Sequence, residues 1–221
     1  MTAPEALVEE GARRPSRDPR RLILLRHGQT AWNASHRIQG QRDVDLDESG
    51  HQQATSVAEE LETHDVSLLW SSDLTRAAQT AAYVGKECGV EPVLDARLRE
   101  FHLGERQGLT HEEYARRFPE EHREYVAGNY AVAEGAETTA EVAERMVACL
   151  RDLLASTPAG GTSVAVSHGA ALRVALGHLL GWGSGAELSL AALGNCHRAV
   201  LEEQSYAGPL RLAAYNLRPG A

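Results

Sequence analysis

The chain has 221 residues, 43% of them apolar and 24% charged, which is enough for one α/β domain with a substantial core and tight for two. Twenty-two Lys and Arg against 31 Asp and Glu leave a net charge of −9. That balance argues against a nucleic-acid duplex as the main partner, and it means that an anionic ligand needs a local basic pocket. No window is long and apolar enough to cross a bilayer, so no membrane partner is expected. The three cysteines, Cys88, Cys149 and Cys196, are widely spaced and odd in number, which suggests neither a disulfide framework nor a zinc pair and points to a reducing cytoplasm.

Residues 1–20 mix both signs of charge with Pro and Gly and lack the apolar core of a secretory signal, so they read as a flexible leader before a single domain over 21–218. Leu22 to Leu25 form an apolar run closed by Arg-His-Gly, which suits a buried strand ending in a loop. Ala54, Val57, Ala58 and Leu61 recur at helical spacing. So do Leu74, Ala77, Ala78 and Ala81, after Asp73 as the expected N-cap. Between these helices, Val66 to Trp70 reads as a strand.

From about 101 to 135 the chain is rich in Glu, Arg, Tyr and His, broken by Pro119 and Gly128, and reads as a helical flap over the sheet edge. Val142, Met146, Cys149, Leu150 and Leu153 mark one face of a long helix that Pro158 and the Gly160-Gly161 pair bring to an end. Ser163 to Val166 is a second buried strand, closed by Ser-His-Gly and followed at once by an Ala- and Leu-rich helix. His197 to Leu201 and Leu210 to Tyr215 are expected as edge strands. Alternating strands and helices imply an α/β three-layer sandwich, with a mainly parallel central sheet and helices on both faces.

Two histidines just past buried strands, His27 and His168, would share one rim of such a sheet, where ligands collect. An imidazole nucleophile needs a free lone pair, a fixed acceptor for its other nitrogen, and nearby cations to keep the ring neutral. Arg26 adjoins His27. A transferring phosphoryl group requires several fixed donors around one point, and Arg76, at the opening of a helix, supplies a permanent cation where the helix dipole also favours phosphate, as it does beside His168. A carboxyl group must protonate the leaving oxygen, and Glu100 is best placed in chain order.

The stretch Leu25-Arg26-His27-Gly28-Gln29-Thr30-Ala31-Trp32-Asn33 resembles the opening motif of the histidine phosphatase superfamily, which includes the cofactor-dependent phosphoglycerate mutases. Arg37-Ile38-Gln39-Gly40, Leu46-Asp47-Glu48-Ser49-Gly50, Ser71 to Arg76, Leu98-Arg99-Glu100, Gly108-Leu109-Thr110 and Ser167-His168-Gly169 follow in the family's order, so the resemblance runs from about Arg21 to Leu180. It implies a phosphoglycerate mutase-like fold and a phosphohistidine intermediate on His27. Arg26, Arg76 and His168 would cradle the phosphoryl oxygens, and Glu100 would carry the proton. Asn33, Gln39 and the Gly40 backbone would complete the phosphate pocket, with Gly169 letting the chain pass close. The resemblance implies neither metal nor cofactor, and the His-Glu-x-x-His pattern is absent around His111 and His122.

A mutase carries a basic residue after its proton-donating Glu and Asn after its second His-Gly, whereas here Phe101 follows Glu100 and Ala170 follows Gly169. Arg97 to Thr110 is instead similar to the phosphatase branch, which holds actinobacterial glucosyl-3-phosphoglycerate phosphatases. The expected activity is therefore metal-independent hydrolysis of a small phosphorylated metabolite, the alternatives being phosphoglycerate mutase-type transfer or a non-catalytic phosphate-binding module. Phe101, His102, Arg106, Tyr114, Arg116, Arg117 and Arg123 are the flap residues that would meet a leaving group. The interleaved Glu112, Glu113, Glu120, Glu121 and Glu124 make a solvated, self-paired face the default for the arginines. His36, His51, His64, His111, His122, His178 and His197 read as surface or packing residues. Quaternary state is left open between a monomer and a homodimer.

Overall fold

The computed structural model describes residues 17–183 and 185–220, so the leader lies outside the described residues except at its end. There Arg20 is buried and forms a bidentate ion pair with Glu203, at 2.6 and 3.0 Å. The strands are β1 (Arg21–Arg26), β2 (Val66–Ser71), β3 (Val93–Leu94), β4 (Thr162–Ser167), β5 (Arg198–Glu203) and β6 (Leu210–Leu217). Among the described residues they form one sheet in the order β3-β2-β4-β1-β5-β6. The first four pair in parallel, while β5 runs antiparallel to β1 and β6 antiparallel to β5.

Because side chains alternate across a strand, β1 serves two cores at once. Leu22 and Leu24 pack with the apolar faces of α6 (Thr139–Ser156) and α7 (Gly169–Leu179). Ile23 and Leu25 pack on the other side with α2 (Glu48–Glu62) and α3 (Thr75–Cys88). The α/β three-layer sandwich read from the sequence is the observed architecture, and the long strands lie within a residue or two of their expected positions. Two elements escaped the pattern. β3 has two residues, both half exposed, so it carries no periodicity. The short α1 (Ala31–Ala34) is set by a Thr30/Asn33 capping box rather than by an apolar stripe.

Asp73 is not the N-cap of α3. Leu74 occupies that position without a side-chain cap, and the Asp73 carboxylate is taken instead by Arg99, at 2.5 and 2.7 Å. Those hydrogen bonds hold the Asp73 pKa below the usual carboxylate range. The stretch between β3 and α6 carries α4 (His111–Arg117) and α5 (Pro119–Val126). Its centre is Arg106, buried with its guanidinium 5.7 Å from the Tyr114 ring and 5.1 Å from the Tyr125 ring, and bonded to the Leu103 and Tyr130 carbonyls. A cation among aromatic rings thus replaces the apolar stripe that the segment lacks.

Where α2 begins, Asp47 caps the helix by accepting from the Gly50 N–H at 2.8 Å, and the Asp47 N–H donates to the Gln29 carbonyl. This seats the first turn of α2 on the loop after β1. A Cβ on Gly50 would lie 2.0 Å from the Gln29 oxygen, and one on Gly28 would lie 2.6 Å from the Gly50 oxygen. Backbone meets backbone at both places, so neither neighbour can yield by rotating a side chain. Gly50→Ala is expected to destabilise the fold by about 1–3 kcal/mol, measured as a lowered midpoint in urea; an unchanged midpoint would contradict this close approach.

Candidate active site

The register of the sheet brings the two histidines together. β1 and β4 are neighbours with Arg26 opposite Ser167, so the residues that follow, His27 and His168, emerge side by side at the C-terminal edge. The His27 N–H donates to the Ser167 carbonyl, and the two rings lie 5.1 Å apart, tilted by 56°. β2 lies on the other side of β4, and the Ser72 N–H continues that ladder to the Val166 carbonyl. The chain then enters α3, whose second residue is Arg76.

His27 is almost wholly buried, and two hydrogen bonds define its tautomer. Nδ1 lies 2.7 Å from the Gly28 carbonyl, which can only accept, so Nδ1 carries the proton. Nε2 accepts from Arg76 Nε at 3.3 Å, so it carries the lone pair. Burial, then Arg76, then Arg26 push the His27 pKa well below the usual histidine value, which keeps the ring neutral. His168 is shifted in the same direction, again chiefly by burial and then by Arg76. Its Nε2 meets the Ser72 hydroxyl at 2.9 Å, while its buried Nδ1 has no hydrogen-bond partner among the described residues.

The two terminal nitrogens of Arg76 are held by carbonyls, one donating to Gly40 at 2.7 Å and the other to Arg42 at 2.8 Å, while its Nε faces His27. Burial lowers its pKa to about 10, which still leaves a cation at neutral pH. Arg26 donates to the Leu193 carbonyl at 2.5 Å, while its Nε is buried and without a partner among the described residues. A Cβ on Gly169 would lie 3.5 Å from that Nε, an ordinary contact. Glycine is therefore not demanded by packing at this position. Asn33 is oriented by its Oδ1, which accepts from the Thr30 N–H and from Asn195 Nδ2, leaving its own amide nitrogen for a ligand.

The Glu100 carboxylate lies at the start of α7. One oxygen accepts from the Phe101 and Ala171 N–H groups, each at 2.9 Å, and the other from the Ala170 N–H at 3.1 Å. Two of the first-turn donors of α7, which was expected to favour a phosphate, are thus occupied by the carboxylate. The N–H groups that draw it there do so because a helix N-terminus favours negative charge.

One cavity of about 320 Å³ is lined by Arg26, His27, Arg76 and Glu100, and by Asn33, Gln39, Gly40 and Gly169. His168 is not among its lining residues but stands directly beside His27. Of the flap residues expected to face a leaving group, Phe101 lines this cavity. Arg106 and Tyr114 are buried in the flap, Arg116 and Arg123 pair at the surface with Glu112 and Glu120, and Arg117 stacks on Phe118. His102 turns its ring to the Gly135 carbonyl. The outer wall is made instead by Tyr125, Tyr130, Arg37, Arg173 and His111, the last of which the sequence had assigned to surface or packing.

Sequence reasoning also missed Asn195, whose amide nitrogen holds both the His27 carbonyl at 3.1 Å and Asn33 at 3.2 Å. Thr80 was missed as well: it accepts from the Gly28 N–H and donates to the Arg76 carbonyl. Neither lies in a motif that could have marked it. Among the described residues no cluster of three or more His, Cys, Asp or Glu could hold a metal ion.

The family model for the histidine phosphatase superfamily, branch 1, matches residues 22–216. A glucosyl-3-phosphoglycerate phosphatase of Mycobacterium tuberculosis is 40% identical over 71% of this chain and 75% of its own length. Phosphoglycerate mutase-like protein 4 of Arabidopsis thaliana is 36% identical over 69% of this chain and 67% of its own length. The mycobacterial glucosyl-3-phosphoglycerate phosphatase solved with VO3 superposes with a TM-score of 0.83 at 35% identity, covering 89% of this chain and 99% of that one. With its sheet order, its paired histidines and this match over nearly the whole domain, the chain belongs to branch 1 of the histidine phosphatase superfamily.

Proposed function

We propose that this chain is a phosphomonoesterase in which His27 takes the phosphoryl group of a small phosphorylated metabolite and passes it to water. The observation that carries this reading is the state of His27: a neutral ring with Nδ1–H locked to a carbonyl and its Nε2 lone pair turned toward Arg76. In the first step Nε2 forms a bond to phosphorus as the ester P–O bond breaks. A phosphoryl oxygen replaces Nε2 as acceptor for Arg76 Nε, and the Arg26 Nε–H and the Asn33 amide serve the other oxygens. Glu100, entering protonated, gives its proton to the leaving alkoxide. In the second step Glu100 takes a proton from water as the oxygen attacks phosphorus and the P–N bond breaks, which returns His27 to its starting state.

Hydrolysis rather than mutase transfer is favoured by Phe101. Its buried ring stacks near Tyr130, with centroids 4.7 Å apart, at the position where a mutase carries a basic residue for a second acidic group. The outer wall of aromatic rings with Arg37, Arg173 and His111 suits a hydroxylated, anionic leaving group of metabolite size. Together with the relatives' names, it supports a phosphorylated sugar-glycerate such as glucosyl-3-phosphoglycerate as substrate. Arg26 and Arg76 supply the positive charge that metal ions supply in other phosphoryl-transfer sites, so chelator should leave the rate unchanged. Three free thiols, two of them buried, suit a reducing cytoplasm.

A phosphate-release screen over sugar phosphates, phosphoglycerates and glucosyl-3-phosphoglycerate tests the reading. Net phosphate release is expected, abolished by His27→Ala with a loss of at least about 10⁴-fold, whereas isomerised phosphoglycerate without phosphate release would establish a mutase. The pH profile follows from the neutral ring. Attack needs unprotonated His27, and its pKa is lowered, so the acid limb of kcat/KM belonging to His27 lies below the ordinary histidine value of about 6.5. Arg76→Gln removes one of the causes of that shift and is expected to move the limb upward on the same ester; a limb that stays in place would contradict the electrostatic account. Glu100→Ala should slow alkyl esters by about 10²–10⁴-fold and activated aryl esters far less, because only poor leaving groups need the proton. Equal losses on both would remove Glu100 from this role.

A further inference from the structure

Glu100 is gripped twice, by different helices. Its carboxylate is held by α7, as described above, while its main chain is held from α6 by Arg145. That guanidinium donates to three carbonyls in the turn that presents Glu100: Arg97 at 2.8 Å, Arg99 at 2.7 Å and Glu100 itself at 3.0 Å. Its remaining donor capacity goes to a bidentate pair with Glu137, both contacts at 2.9 Å. Glu137 in turn accepts from the His102 N–H at 2.7 Å, two residues beyond Glu100. The side-chain amide of Gln41 closes the ring, donating to the Glu100 carbonyl at 3.0 Å and to Glu137 at 3.3 Å.

Gln41 sits between Gly40 and Arg42, the two residues whose carbonyls hold Arg76. The same clasp therefore grips the proton carrier on one side and adjoins the cationic cradle on the other. Arg145 does not line the cavity, and its side chain is 18% exposed, so it is not placed to meet substrate. Such a planar fork, its donors shared between three main-chain carbonyls and Glu137, fixes a turn in one geometry that a flexible ammonium cannot reproduce.

We infer that Arg145, with Glu137 and Gln41, is a positioning residue that fixes the Glu100 turn so that the carboxyl group stands at the leaving oxygen. The inference rests on Glu100 being the proton carrier. A misplacement of about 1 Å in such a group costs on the order of 10²-fold in rate, and the loss should fall on the step that needs the proton.

The test compares wild type, Arg145→Lys, Arg145→Ala, Glu100→Ala and the double variant Arg145→Lys/Glu100→Ala, as kcat/KM on phosphate monoesters ranging from dinitrophenyl to alkyl leaving groups. Arg145→Lys keeps a cation against Glu137, and it carries the test should Arg145→Ala fail to fold. The expected result is a loss of about tenfold or more on alkyl esters, little change on the dinitrophenyl ester, and a steeper dependence on leaving-group pKa. The double variant should be no slower on alkyl esters than Glu100→Ala alone. A loss from Arg145→Lys that is equal across the series, or that multiplies with the loss from Glu100→Ala, would overturn the inference while leaving the Glu100 assignment standing. Absence of leaving-group selectivity in Glu100→Ala itself would remove that assignment and the inference with it.

Discussion

The Nδ1–H of His27, donated to the carbonyl of the next residue, fixes which nitrogen of the ring is available for chemistry, and the other features of the site are arranged around that choice. A carbonyl cannot give a proton back, so the lone pair must lie on Nε2, on the side facing Arg76. Burial and two neighbouring cations then make protonation of that lone pair unfavourable. The carbonyl is itself immobile: Gly28 donates to Thr80, and Gly50 of α2 closes against it with no room for a side chain. The fold thus sets the tautomer, charge and direction of His27, the nucleophile we propose, before any ligand arrives.

The cations of the cradle are anchored differently from most of the others, Arg106 in the flap being a further one that carbonyls hold. Arg20, Arg97, Arg99, Arg145 and Arg198 each pair with a carboxylate, which offsets their charge. Arg26 and Arg76 are held by carbonyls from Leu193, Gly40 and Arg42. A carbonyl dipole orients a guanidinium without neutralising it, so these two remain uncompensated in a partly buried hollow where charge interactions are strong. In a chain of net charge −9, the phosphate binding we propose would depend on this local arrangement.

The sheet and both histidines were legible because their signals are short-range. A buried strand needs an apolar run, and a loop at its end needs a break, so Leu22 to Gly28 and Ser163 to Gly169 announce themselves within seven residues each. The adjacency of β1 and β4, which brings the two rings to 5.1 Å, depends instead on pairing across 140 residues and came into view through the order of the motifs. The flap was legible only as a helical segment. Its interior is built from Arg106 and tyrosines, residue types that are more often exposed, so the polarity that usually reports surface concealed a core. For the same reason Tyr125, Tyr130 and His111 gave no sign that they would wall the cavity, whereas the conspicuous Arg116 and Arg123 pair in solvent. Asn195 was invisible for a different reason, since one asparagine in a loop becomes significant only when the fold carries it to Asn33 and the His27 carbonyl.

The N-terminus of α7 resolves a difficulty in the proposed mechanism, which combines a carboxyl proton carrier with a cationic cradle. Glu100 is close enough to Arg26 and Arg76 to favour their charged forms, and a direct ion pair with either would consume both the acid and the cation that the proposed reaction needs. Neither pair forms. Three main-chain N–H groups, from Phe101, Ala170 and Ala171, donate to the carboxylate instead. Main-chain donors carry no net charge, so they orient the carboxyl group without neutralising the cradle. Part of the helix N-terminus that the sequence suggested for phosphate is thus directed at the carboxyl group, so α7 contributes to keeping the two opposite charges apart.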